Sequence, residues 1–233
     1  MTTLARRALA EFVGTAFLLA AVIGSGIAAV RLSPHDVGLE LLENSLITGG
    51  ALVALILALQ PVSAAFNPVV TLVERALGGV TTRESLVLIA AQLGGGVLGA
   101  VVANLMFHLD AVDFSSHHRS GAALWLGEVV ATLGLLVVIF GTARAGRSER
   151  IAFAVGGYVM AAYWFTSSTA FANPAVTVAR MFSDTFAGIA PASVAGFVGA
   201  QAVGGVLGYL LVRALYPHAP AVPLPFEREE VAR

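Results

Sequence analysis

Long apolar stretches separated by short polar ones run through the chain of 233 residues. A helix needs about 20 mainly apolar residues to cross a bilayer, so each long stretch predicts one transmembrane helix. The six stretches comprise residues 8–30, 44–66, 85–109, 122–143, 151–178 and 185–212. The pattern therefore predicts an all-α membrane protein with six transmembrane helices.

Two of these stretches, the second and the fifth, continue into segments too short to cross a bilayer, residues 67–77 and 173–182. Each short segment begins with Asn-Pro, at Asn67-Pro68 and at Asn173-Pro174. Asparagine is a favoured N-cap residue, and proline is favoured at the first position of a helix. Each segment is therefore expected to form a half-helix.

Three features of the chain occur twice, in the same order. An acidic residue in an apolar stretch (Glu11, Glu128) is followed by the Asn-Pro motif and then by a glycine-rich segment, at 91–99 and again at 200–208. Each repeat, about 8–109 and 122–214, holds three spans and one half-helix. Because three is odd, the second repeat lies upside down relative to the first. The two half-helices are then expected to enter from opposite sides and to meet near the midplane.

Composition narrows the function classes. The chain is 58% hydrophobic and 12% charged, with a net charge of -1, and all its basic residues are arginines. It offers no basic face for nucleic acid, and the absence of cysteine excludes thiolate metal sites and cysteine nucleophiles. The five histidines lack the spacing of a helical metal pair. We therefore expect no metal, no cofactor, no nucleic-acid partner and no enzymatic activity.

Arginine placement predicts the orientation in the membrane. Most arginines fall in the loops on the same side as the N-terminus, which places both termini in the cytoplasm by the positive-inside rule. The proline-rich segment 217–233 is then a cytoplasmic tail that follows a membrane domain at 1–216.

Glu11 and Glu128 are costly inside a bilayer, and a proton relay is one interpretation of them. In the alternative, each carboxylate accepts hydrogen bonds from the otherwise unpaired backbone of a re-entrant segment. The occurrence of one such residue in each repeat favours this anchoring role.

Two half-helix N-termini meeting at one point would carry partial positive charge into the membrane centre, with the amides of Asn67 and Asn173 as donors. A cation meets a barrier there, whereas a neutral solute that accepts hydrogen bonds can exchange its water partners for the amides. The pattern favours a pore for small neutral solutes.

These motifs resemble the aquaporin, or major intrinsic protein, family over residues 10–215. The matching segments are residues 10–15 (AEFVGT), the first box Asn67-Pro68-Val69 and the second box Asn173-Pro174-Ala175, with Val69 replacing the usual alanine. The resemblance implies a passive channel domain at 1–216, with the two boxes as its central constriction. It also implies a homotetramer in the lipid bilayer with one pore in each protomer.

Residues 163–180 (YWFTSSTAFANPAVTVAR) are similar to the second box of bacterial aquaporins found with arsenic-resistance systems, which implies a bacterial inner membrane. Water-selective relatives carry arginine directly after this box, where the present chain has Val176. The family pattern places the other filter positions at Thr48, Ala161 and Ala170, with Ile47 as the alternative to Thr48. A filter without an aromatic residue or an arginine would be wide and weakly polar. Arg180, one helical turn beyond Val176, is interpreted as a solvated helix-end residue rather than as part of an electropositive vestibule.

The resemblance implies a channel for arsenite or other metalloid hydroxides and related arsenicals, with water and glycerol conduction as further expectations. A glycerol facilitator or a general water channel is the alternative within the family. An ion-coupled secondary transporter is the alternative from another class, and it would need Glu11 or Glu128 to face the solute path.

Overall fold

The computed structural model describes residues 3–217. These residues form helices and connecting loops, and no strand occurs among them. Single 3₁₀ turns lie at Ser148–Arg150 and Arg180–Phe182. The predicted tail at 217–233 lies outside the described residues except for Pro217. The α-helices of the described residues are α1 Thr3–Leu32, α2 Val37–Leu59, α3 Pro68–Ala76, α4 Thr82–Met106, α5 Ala122–Arg144, α6 Ile151–Phe165, α7 Pro174–Ala179 and α8 Pro191–Leu215.

Five long helices, the shorter α6 and two half-helices confirm the predicted architecture. Helices α1, α2, α4, α5 and α8 are long and apolar enough to cross a membrane. The sixth, α6, has only 15 residues, because the rest of its apolar stretch forms a re-entrant loop and the half-helix α7. An apolar stretch therefore does not by itself show where a helix ends and a buried loop begins.

The observed start of α2 differs from the predicted boundary at residue 44. It begins at Val37, and its N-cap Asp36 accepts a hydrogen bond from the backbone N–H of Leu39 at 3.0 Å. Polar residues such as Glu40 occupy the first turns, so counting apolar residues overlooks them. At its other end α2 stops at Leu59 rather than at residue 66, because residues 60–66 lead into the first re-entrant loop.

Close helix packing within each repeat depends on glycine. A Cβ atom at Gly95 of α4 would overlap the carbonyl oxygen of Phe12 in α1. In the second repeat, a Cβ at Gly204 of α8 would lie 2.7 Å from the carbonyl oxygen of Val129 in α5. Small residues let the backbones of membrane helices approach closely, so α1 with α4 and α5 with α8 form two equivalent tight pairs.

The half-helices contact both repeats. Helix α3 packs against α4 of its own repeat and α8 of the other, and α7 packs against α8 and α4. Both half-helices are therefore packed largely within the bundle, although Leu72 of α3 is exposed. This arrangement brings their N-termini together in the centre of the molecule.

Candidate functional site

Asn67 and Asn173 cap the two half-helices. The Oδ1 atom of Asn67 accepts a hydrogen bond from the backbone N–H of Val69 at 3.0 Å. The Oδ1 atom of Asn173 accepts from Ala175 at 2.9 Å and from Val176 at 3.3 Å. Because each side-chain oxygen is engaged by its own helix, each amide nitrogen is directed away from it.

The two amide nitrogens bond across the centre of the molecule. The Nδ2 atom of Asn67 donates to the carbonyl of Ala172 at 2.8 Å, and that of Asn173 donates to the carbonyl of Phe66 at 2.7 Å. These reciprocal bonds join the two half-helix N-termini. Since each amide group has two N–H donors, a second donor remains at each asparagine, and both residues line the central cavity.

The residues before both asparagines have an unusual backbone conformation. Phe66 has φ 49° and Ala172 has φ 47°, in the left-handed region that residues other than glycine rarely adopt. This conformation is associated with the carbonyls that accept the asparagine amides, and it costs about 1–3 kcal/mol at each residue. Other contacts must hold these residues in place.

Glu11 holds the first re-entrant loop. Its carboxylate accepts hydrogen bonds from the backbone N–H of Ala65 at 2.9 Å and of Phe66 at 2.7 Å, and from the Ser63 hydroxyl. The side chain of Gln92 donates to it at 2.8 Å. All four partners are donors, so the carboxylate oxygens act only as acceptors in these hydrogen bonds.

Glu128 holds the second loop in the same way. It accepts from the backbone N–H of Phe171 at 2.9 Å and of Ala172 at 2.8 Å, and from Gln201 at 2.6 Å. Each glutamate thus binds the N–H of the left-handed residue whose carbonyl receives the opposite asparagine. Neither carboxylate is among the residues that line the central cavity, so this geometry favours anchoring over a proton relay.

A cavity of about 910 Å³ of empty space, open to solvent in part, lies beside the two asparagines. Most of its wall is apolar. Helix α6 contributes residues at every fourth position: Ile151, Val155, Val159 and the ring of Tyr163. The polar residues among the described lining are Thr48, Gln60, Asn67, Tyr163, Asn173 and Arg180. The described lining residues include no carboxylate.

Three of the four predicted filter residues line this cavity: Thr48, Ala170 and Val176. Thr48 is buried, and its hydroxyl lies 3.2 Å from that of Tyr163. Its alternative, Ile47, is 54% exposed and lies outside the described lining.

The fourth predicted filter residue, Ala161, is misplaced. It is exposed, because it lies midway along the chain between Val159 and Tyr163, on the opposite face of α6. The α6 residue near Thr48 is Tyr163, which is buried and lines the cavity. Tyr163 and Phe171 thus line the cavity, where the family pattern predicted a filter without an aromatic residue.

Arg180 is not a solvated helix-end residue, contrary to the interpretation from sequence. It is 2% exposed and lines the cavity. Its guanidinium carbon lies 3.5 Å from the ring centroid of Phe171, and its Nε donates to the carbonyl of Ala187. Residues 183–190 fold back over the end of α7 and cover this side chain, which a search for solvent-facing positions along a short helix does not reveal.

The remaining box residues support the half-helices. Val69 and Ala175 are buried. These two residues, like Pro68 and Pro174, are not among the described cavity-lining residues. A Cβ atom at Gly205 would lie 2.8 Å from Cγ1 of Val69, so the larger residue of the first box fills space next to a glycine of α8.

Two loops are joined to each other close to Arg180. Arg119 donates to the carbonyls of Gly188 at 2.9 Å and Phe186 at 3.2 Å. The carboxylate of Asp184 accepts the backbone N–H of Ser116 at 2.8 Å, which lowers the pKa of Asp184. Burial lowers the pKa of Arg119 from its usual value. These contacts tie loop 107–121 to residues 183–190.

The family model described as "Major intrinsic protein" matches residues 1–166 of this chain. The chain belongs to the major intrinsic protein family. It is therefore a membrane channel of the aquaporin and aquaglyceroporin type and not an enzyme. The two joined Asn-Pro boxes described above are therefore those of a major intrinsic protein.

The matches to similar proteins cover nearly the whole of this chain. Aquaglyceroporin AqpS of Rhizobium meliloti (strain 1021) is 46% identical over 222 residues, which cover 95% of this chain and 94% of the relative. Aquaporin AqpM of Methanothermobacter marburgensis is 27% identical, covering 94% of this chain and 98% of its own. The X-ray structure of the aquaglyceroporin from Plasmodium falciparum has a TM-score of 0.70 at 18% identity, with 92% and 98% of the two chains covered. The last match shows a shared fold.

Sequence reasoning missed Tyr163 and Phe171 as lining residues. The signal for Tyr163 was present, since residues 151, 155, 159 and 163 form one apolar stripe at helical spacing. Phe171 precedes the second box in an irregular segment, where no periodicity indicates which way a side chain points.

Proposed function

We propose that this family member is a passive channel for small uncharged solutes and that arsenite or other metalloid hydroxides and related arsenicals are among them, with glycerol and water as further solutes. The observation that carries the proposal is the position of Val176. It lines the cavity directly after the second box, where the resemblance gives water-selective relatives an arginine. A valine there leaves room that a guanidinium would fill.

The wall of the cavity supports this choice of solute. A polyol or an undissociated metalloid hydroxide presents several hydroxyl groups on a compact body. The amides of Asn67 and Asn173 and the hydroxyls of Thr48 and Tyr163 provide hydrogen-bonding groups along a mainly apolar path. Such a wall suits a solute that needs a few contacts without a full hydration shell.

The similar proteins agree with a glycerol-sized pore, because the Rhizobium relative is named an aquaglyceroporin. Val176 is also the residue that separates the proposal from a strictly water-selective channel.

We further propose that the chain forms homotetramers in the bacterial inner membrane with both termini in the cytoplasm. In this orientation, Arg119 and Arg180 lie at the outer end of the cavity.

Stopped-flow measurements on proteoliposomes test the solute. Water, glycerol, urea and arsenite are compared for the parent protein, Val176→Arg and the size control Val176→Met. We expect the parent to pass arsenite and glycerol. Val176→Arg should reduce both fluxes about tenfold, the effect of roughly 1.4 kcal/mol on the barrier, while water flux persists.

The size control separates width from charge, and Val176→Met should reduce the two fluxes less than Val176→Arg does. A parent protein that passes water alone would overturn the proposed solute class. A folded Val176→Arg variant that conducts arsenite and glycerol like the parent would show that residue 176 does not limit the path.

A further inference from the structure

We propose that Arg180, positioned by Arg119, determines charge and solute selectivity at the outer end of the pore. The inference rests on the proposed function only in that solutes pass through the cavity beside the two asparagines. It does not depend on arsenite being one of them. The residue involved lies one helical turn beyond the position that the family pattern indicates.

Arg180 is fixed against the cavity wall by two different contacts. Its guanidinium carbon lies 3.5 Å from the centroid of the Phe171 ring, and its Nε is engaged by the carbonyl of Ala187. A guanidinium has five N–H donors in a planar fork, and Nε provides one of them. Because Arg180 lines the cavity, the Nη atoms supply the donors available to a passing solute.

The positive charge of Arg180 has no carboxylate within ion-pair distance in the described part of the chain. The ion pairs found there are Arg7 with Glu84 and Arg150 with Glu149. Arg180 contacts a neutral carbonyl and an aromatic ring instead. A poorly exposed charge is weakly screened, so it should repel a cation entering the cavity.

Arg119 contacts the same aromatic ring as Arg180 and the same short loop segment. Its guanidinium carbon lies 5.4 Å from the centroid of the Phe171 ring. It also donates to the carbonyls of Phe186 and Gly188, the residues on either side of Ala187. Three consecutive carbonyls are thus bound by two arginines. Arg119 lies outside the described lining, and we assign it a positioning role.

The structure also provides a matched control. Arg31 contacts Phe107 in a similar way, with its guanidinium carbon 5.2 Å from the ring centroid and its Nη2 donating to the Phe107 carbonyl at 2.9 Å. Neither Arg31 nor Phe107 is among the described cavity-lining residues. Arg31→Leu therefore removes an arginine–phenylalanine contact without changing the proposed selectivity site.

The experiment compares the full-length parent, Arg180→Leu, Arg180→Lys and Arg31→Leu in proteoliposomes. Methylammonium influx reports exclusion of cations, and the ratio of glycerol to urea flux reports discrimination among neutral solutes. Arg180→Leu should raise methylammonium influx about tenfold, equivalent to roughly 1.4 kcal/mol of barrier. Arg180→Lys should keep methylammonium influx near that of the parent while the glycerol-to-urea ratio changes severalfold, because lysine keeps the charge and loses the planar fork.

Arg119→Gln and Arg119→Lys test the positioning role. Arg119→Gln should shift the glycerol-to-urea ratio in the same direction as Arg180→Lys. Arg119→Lys, which keeps the charge, should cause a smaller shift than Arg119→Gln. A purely structural Arg119 would lower the melting temperature and leave that ratio unchanged, a result that would overturn its positioning role.

The proposal for Arg180 is overturned if Arg180→Leu matches Arg31→Leu and the parent in methylammonium influx and in the glycerol-to-urea ratio. Should Arg180→Leu fail to fold, Arg180→Gln provides the same comparison with a polar side chain. A parent that excludes arsenite would remove the proposed solute while leaving these results intact.

Discussion

Glu11 and Glu128 place buried carboxylates where several N–H groups converge. Each binds two consecutive backbone N–H groups and one glutamine side chain. The second of the two backbone donors belongs to Phe66 or Ala172, the residues with left-handed backbone. Since that backbone conformation is itself unfavourable, the carboxylates offset the cost of placing the carbonyls that orient both asparagines.

Glu128→Gln should lower the free energy of unfolding by about 1–3 kcal/mol, because the amide cannot accept from all the buried donors that the carboxylate binds. Thermal unfolding in detergent measures the change. Glu149→Gln is the control, since its exposed side chain pairs only with Arg150 in the described ion pairs. Equal melting temperatures for the two variants would contradict the anchoring role.

Val69 and Gly205 form a complementary pair across the repeats. Gly205→Ala would place a methyl group 2.8 Å from Cγ1 of Val69, at a cost of about 1–3 kcal/mol for overpacking. Val69→Ala removes that Cγ1 atom. We expect the double variant to lose at least about 1 kcal/mol less than the sum of the single variants. Gly199→Ala, where the added Cβ meets nothing within 4 Å, should combine additively with Val69→Ala when both sets are followed by thermal unfolding.

The asparagine caps could be predicted from sequence because Asn-Pro determines local geometry over a few residues. Ala161 was misplaced because counting back from the second box carries a position through an irregular loop before it reaches α6. Arg180 was misjudged for a different reason. Its burial depends on residues 183–190 folding over it, and a contact between separate segments leaves no periodic signal in either one.

Among the elements, the two half-helices were predictable and the limits of α2 and α6 were not. An apolar stretch has the same composition whether it is helical or forms a buried re-entrant loop. Only the hydrogen-bond partners of the backbone distinguish the two, and the carboxylates that supply those partners come from α1 and α5. The loop that follows α2 is therefore held by a residue distant in the chain, since Glu11 and Phe66 are separated by 55 positions.

The contact between loop 107–121 and Asp184 should withstand moderate acidity. The backbone N–H of Ser116 lowers the pKa of Asp184 below its usual value of 3.8. A lowered folded-state pKa gives stability that is present above the unfolded pKa and is lost as pH falls through the folded pKa. An electrostatic interaction with His117 makes a smaller contribution in the same direction.

The melting-temperature difference between the parent and Asp184→Asn should therefore not shrink between about pH 8 and pH 5, and should fall only below about pH 4. Thermal unfolding of both proteins across this range measures it. A difference that disappears near neutral pH would show that another group controls this loop contact.

The molecule as a whole has the inverted symmetry that many transporters use, yet its cavity lacks their ion-coupling groups. Among the described lining residues there is no carboxylate and no histidine, and the charged group present is Arg180. Arg180, interpreted from sequence as a solvated helix-end residue, is thus an ionisable group of the lining. The described lining therefore offers no acidic or imidazole group that could bind and release a proton near neutral pH.

Conduction should accordingly be passive. Initial glycerol flux into proteoliposomes should rise in proportion to the glycerol gradient and stay unchanged when a proton gradient of either direction is imposed. Radiolabelled glycerol uptake measures both, with protein-free liposomes as the control. Accumulation above the external concentration under a proton gradient would contradict a passive channel.

The reciprocal bonds between the asparagines and the opposite loops join residues 105 and 107 positions apart in the chain. During synthesis, the first repeat enters the membrane before the ribosome has made either residue of the second loop. Until then the amide of Asn67 and the carbonyl of Phe66 lack their final partners. The pore centre consequently cannot be completed before the second loop has been made, and a chain that ends before Ala172 lacks both reciprocal bonds.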